Sequence, residues 1–108
     1  SYVANAASLG RTVTDPVTSG HRVVGSTDMG NVSHLVPTIH PMVKCAPAGT
    51  AIHTESFAGH ARSALADAAV IDGAVAMALT AVDFWVSARL REEVRADFAR
   101  ANPSPDVL

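Results

Sequence analysis

The chain has a single cysteine, Cys45, so no internal disulfide can form and a disulfide-stapled scaffold is excluded. It has only five aromatic residues, so its apolar content is mainly aliphatic, a composition that suits packed helices and buried strands. Basic residues are scarce: eight Lys and Arg stand against ten Asp and Glu, for a net charge of −2. That balance gives no electrostatic footprint for nucleic acid or for an anionic membrane surface. There is no long uninterrupted apolar run either. The stretch Gly73 to Val82 is bounded by Asp72 and Asp83, and by itself it is too short to span a bilayer. No basic flank followed by an apolar segment marks a signal peptide at the start. With its lone thiol, the chain is expected in the cytoplasm. Cys45, in the run "MVKCAP", reads as a structural thiol rather than a nucleophile.

What is abundant is Ala, Val and Leu. Hydrophobic residues make up 48% of 108, enough for one compact core and inconsistent with disorder. Tyr2 to Leu9 reads as a short helix, with Gly10 as a left-handed stop. Arg11 to His21 is loop-like, punctuated by Asp15-Pro16 and Ser19-Gly20. The β-branched pair Val23 and Val24 leads into the small-residue loop "GSTDMGN", Gly25 to Asn31. Val36 to Cys45 is expected to be a strand with Ile39, Val43 and Cys45 on one face. Pro37 and Pro41 make it irregular or place it at an edge. "APAGT" is a turn, and "AIH" is expected to be a brief extended return.

Thr54 is a suitable N-cap for a helical turn through Phe57, and Ser63 for a long helix from about Ala64 to Ser87. The long helix carries apolar residues round most of its circumference, so it has to be covered on several sides. Leu90, Val94, Phe98 and Ala99 form the stripe of a last helix, and "NPSPDVL" an exposed tail. The order of elements predicts an α/β fold: a partial catalytic domain with a short mixed sheet packed against the long alanine-rich helix and a C-terminal helix. The chain opens at Ser1 inside a helix, without Met, which reads as the middle of a longer protein.

Chemistry-bearing residues are few and dispersed. The five histidines show no HxxxH or HExxH spacing, and there is no CxxC. No Walker lysine and no GxGxxG is present, and Ser26 lacks the elbow context of a serine nucleophile. Glu92-Glu93, flanked by Arg89, Arg91 and Arg95, reads as a solvated, charge-interleaved face rather than an acid/base pair. The loop at Ser26, Thr27, Asp28 and Asn31 has hydroxyls, a carboxylate and an amide suited to a carboxylate or oxyanion. A tight turn has the same composition. His53, between a short apolar pair and a helix start, is either a rigidly aimed ligand or an ordinary surface imidazole.

"GSTDMGNVSHLVPTIHP" followed by "HTESF" resembles the zinc-dependent peptidase and amidohydrolase family, and within it the aminobenzoyl-glutamate hydrolase and dipeptidase-like branch. The resemblance runs over nearly the whole chain. It implies that His53 is the last ligand of a two-zinc site, and that Ser26, Thr27, Asp28 and Asn31 lie in a substrate-binding loop. It also implies a bridging water attacking an amide carbonyl, with a glutamate as base. The family's earlier histidine, aspartate and paired-glutamate motifs are missing here, and no catalytic set is complete within this chain. Residues 1–100 are therefore expected to be the C-terminal portion of an amidohydrolase catalytic domain, and 101–108 a tail. The expected partners are the remainder of the parent polypeptide, a small amide or dipeptide-like substrate and further copies of the chain; neither nucleic acid nor membrane is expected. The alternative is a small non-enzymatic α/β module that self-associates through its apolar helix.

Overall fold

The computed structural model describes residues 1–14 and 27–102. Among them are five helices: α1 (Tyr2–Ser8), α2 (Met29–Ser33), α3 (Glu55–His60), α4 (Ala64–Val86) and α5 (Ala88–Ala101). No described residue is in a strand. The α/β expectation, with its short mixed sheet, is therefore corrected to an all-helical arrangement. Val36 to Cys45 forms no ladder: Pro37 and Pro41 remove donors, and none of the described residues forms a strand to pair with. "AIH" is a turn, with His53 at φ 62°. Val23, Val24 and His21 lie outside the described residues, as does the tail from Pro103 onward.

The chain divides into two compact units: Ser1–Val13 with Pro41–Ala81, and Thr14–His40 with Val82–Leu108. In the first unit, α1 ends as its sequence predicts. Gly10 has φ 75°, which a residue with a side chain reaches only under strain, and its N–H donates to the Ala7 carbonyl. The buried side chains of this unit are all alanines: Ala6, Ala46, Ala66, Ala69 and Ala76. Small residues let backbones approach closely. Asn5 Nδ2 donates to Thr80 Oγ1 at 3.2 Å across α1 and α4, and Val43 comes close to Gly73. At the start of α4, Ser63 Oγ accepts from the Ala66 N–H at 3.3 Å, and Asp67 sits in the first turn, where a negative charge suits the helix dipole. Alanine-rich sequence and this cap account for its 23 residues. The helix runs through Asp72 and Asp83, so by length and composition it is sufficient to cross a membrane, although the stretch between those aspartates is not.

In the second unit, Ser87 leaves helical geometry (φ −100°, ψ 103°), and its hydroxyl accepts from the Leu90 N–H at 3.1 Å, starting α5. Arg91 Nη1 donates to the Phe84 carbonyl at 3.0 Å and to the Trp85 carbonyl, so one guanidinium satisfies the last carbonyls of the preceding helix. Leu90, Val94 and Phe98 are half-buried along one side of α5. On the other side Arg89 pairs with Glu93 at 3.0 Å and Arg95 with Glu92 at 4.0 Å. Glu92 and Glu93 are thus a solvated ion-pair face, as their flanking arginines suggest.

Candidate functional site

His53 belongs to the first unit and is exposed. Its position is fixed from the C-terminal side. The Thr54 hydroxyl accepts from the Phe57 N–H at 3.2 Å as N-cap of α3, and donates to the Ala51 carbonyl at 2.7 Å. The hydroxyl therefore ties together both flanks of the residue before it. Among the described residues His53 is the single non-glycine with positive φ, at 62°. Such a backbone costs about 1–2 kcal/mol for a side chain with a Cβ, so surrounding bonds have to hold it.

Thr27, Asp28 and Asn31 belong to the second unit and are exposed; Ser26 lies outside the described residues. Thr27 Oγ1 accepts from the Met29 N–H at 3.0 Å, and the Thr27 carbonyl accepts from the Gly30 N–H at 3.0 Å. The Asp28 carbonyl accepts from the Asn31 N–H at 3.1 Å. These backbone donors are engaged in closing the turn into α2. The Asp28 carboxylate makes no capping bond to α2, and Asn31 stands on the helix itself.

Among the described residues no group of three or more His, Cys, Asp and Glu side chains is placed to hold a metal ion. The described residues do not by themselves make a zinc centre; His53 offers one nitrogen donor. Cys45 is half-buried and unpaired with any other cysteine.

A feature unremarked in the sequence is an open cleft of about 260 Å³ in the first unit, lined among others by Tyr2, Arg11, Met42, Lys44, Asp72 and Gly73. Arg11 and Asp72 form an ion pair at 2.7 Å there, and Arg11 Nη1 also donates to the Lys44 carbonyl at 3.0 Å. The signal was present: an aspartate in mid-helix among apolar neighbours needs a cation when it is partly covered.

Comparison with known proteins points to peptidases. The chain is 36% identical over 97 residues to the Xaa-Arg dipeptidase of Homo sapiens, covering 90% of this chain and 22% of that protein. It is 42% identical over 76 residues to the Xaa-Arg dipeptidase of Mus musculus, covering 68% of this chain and 17% of the relative. The chain thus spans about a fifth of the length of the curated relatives it matches. No family model matches the chain, and no solved structure does.

Proposed function

We propose that the chain is a fragment of a metal-dependent amidohydrolase or peptidase, whose whole polypeptide hydrolyses an N-acyl amino acid or a dipeptide-like amide. The fragment is inactive by itself. The likeness to the Xaa-Arg dipeptidases carries this reading. By the same likeness, dipeptides ending in arginine are the first substrates to test.

In this reading His53 is a zinc ligand, and its left-handed backbone, held by the Thr54 hydroxyl, supports that role. Ser26, Thr27, Asp28 and Asn31 bind substrate, with the Asp28 carboxylate and the Asn31 amide as the recognising groups. Two zinc ions in the whole enzyme would supply a water of lowered pKa. One imidazole cannot fix such a metal, so the other ligands belong to the remainder of the polypeptide. The partners are that remainder, the small amide substrate and a further copy of the chain. The proposed location is the cytoplasm.

Two measurements test this. The purified chain, given zinc and an Xaa-Arg dipeptide, should release no arginine; clear turnover overturns the fragment reading. In the polypeptide of the whole reading frame, His53→Ala should abolish turnover and lower the zinc content per molecule. Wild-type zinc and activity in that variant would overturn the ligand assignment.

A further inference from the structure

Residues 51–54 form a turn within the first unit, and all four are exposed. Packing therefore does not hold it. Among the described residues no backbone N–H reaches the Ala51 carbonyl; the Thr54 hydroxyl does so instead, donating at 2.7 Å. His53 is the third residue of this turn, at φ 62°. Glycine or asparagine is the usual occupant of such a place, because a Cβ is crowded there.

The same hydroxyl has a second bond. It accepts from the Phe57 N–H at 3.2 Å, which caps α3. The two bonds run in opposite directions along the chain. The accepted bond reaches forward and fixes the start of the helix, and the segment it closes does not contain His53. The donated bond reaches back and closes a ring round Ile52 and His53. Only the second constrains the dihedral angles of His53.

We infer that Thr54 is a positioning residue, and that the proton it gives to the Ala51 carbonyl, rather than its cap on α3, keeps His53 left-handed. An exposed hydrogen bond contributes an amount comparable with the cost of a left-handed backbone at a residue with a Cβ. The turn is accordingly poised: with the bond it stays left-handed, and without it His53 relaxes to an ordinary conformation. Helix α3 does not depend on that bond. The Thr54 carbonyl accepts the Ala58 N–H at 3.0 Å, and Glu55 in the first turn suits the helix dipole. The inference goes beyond the proposed function by naming the atom that sets the backbone of His53. It rests on that reading only where zinc is the readout.

Thr54→Asp separates the two bonds, because an ionised carboxylate is a good cap acceptor with no proton to give. In the purified chain at neutral pH, Thr54→Asp should keep the helical Cα shifts of α3. The close approach of the His53 amide proton to its own Hα, read from the nuclear Overhauser effect as a mark of positive φ, should be lost. Thr54→Ser, which supplies the hydroxyl again, should keep both. A second measurement needs no spectra. His53→Gly should raise the folding equilibrium constant roughly five-fold in the native background. Beside Thr54→Asp the gain should be less than about two-fold, since no strain is left to relieve. In the whole polypeptide, Thr54→Val should weaken zinc binding roughly 10-fold or more, and Thr54→Ser should leave it unchanged.

A left-handed His53 in Thr54→Asp, or equal gains from His53→Gly in the two backgrounds, overturns the inference. Zinc kept by Thr54→Val but lost by His53→Ala overturns it too, and leaves the ligand assignment standing. Zinc kept by His53→Ala counts against the ligand assignment instead, and the spectra of the chain still decide on Thr54.

Discussion

Arg11 holds Asp72 with two donors, Nε at 2.8 Å and Nη2 at 2.7 Å, both on Asp72 Oδ2. Its third nitrogen, Nη1, bonds the Lys44 carbonyl at 3.0 Å. One guanidinium therefore joins three stretches distant in sequence: the turn after α1, the segment before Ala46, and the middle of α4. Both side chains are about a quarter exposed, so water screens the pair only in part.

Arg11→Met should destabilise the first unit by about 1–3 kcal/mol, because Asp72 is left half-buried without a cation and the Lys44 carbonyl loses its donor. Arg11→Lys should recover less than half of this, since an ammonium lacks the planar fork that reaches both acceptors. Urea unfolding followed by circular dichroism gives both values. Equal stability of Arg11→Met and wild type would show that the three stretches are held by alanine packing alone.

Gly73 sits inside α4, where alanine is normally better by about 1 kcal/mol. Here a Cβ would come 3.2 Å from Val43 Cγ2. The two effects should nearly cancel, so Gly73→Ala alone should change stability by less than about 0.5 kcal/mol. Val43→Ala removes the obstacle. In that background Gly73→Ala should stabilise by about 1 kcal/mol, and the double-mutant cycle measures the coupling directly.

The helices were the legible part of the sequence, because their ends rest on local chemistry. Gly10 stops α1 with a backbone bond to Ala7, and Thr54 and Ser63 cap α3 and α4 with their hydroxyls, each within a few residues. The strand was misread because the alternation of Ile39, Val43 and Cys45 records which side is apolar, not whether a partner strand exists. His53 was legible as a residue of interest from its neighbours, but its left-handed backbone was not, since histidine carries no strong signal for positive φ. The Arg11–Asp72 pair joins residues 61 apart, and periodicity is blind to such separations.

Ser87 and Arg91 mark the break between α4 and α5 by different means, one starting a helix and the other finishing its predecessor. Ser87→Ala should cost about 1 kcal/mol through the lost N-cap bond. Arg91→Ala should cost about the same, by exposing the Phe84 and Trp85 carbonyls to water without a cation. The costs should add, because the two side chains serve different helix ends. Amide hydrogen exchange should locate the first loss in the opening turn of α5 and the second in the closing turn of α4. Protection lost in the same turn for both variants would refute the separation.

His53 gives the sharpest test of whether stability has been given up for position. Glycine adopts φ near 60° without steric cost, whereas histidine does not. His53→Gly should therefore raise the stability of the chain by about 1 kcal/mol, even after allowing for the greater freedom of glycine in the unfolded state. His53→Ala should bring no gain, because its Cβ meets the same clash. Thermal unfolding of the three proteins decides between them. In the whole polypeptide, the same His53→Gly change should lower bound zinc, so stability and metal content move in opposite directions, as expected where a strained residue is kept for its function. If His53→Gly instead destabilises, the turn is held by the imidazole itself, and the backbone no longer supports His53 as a residue positioned for a metal.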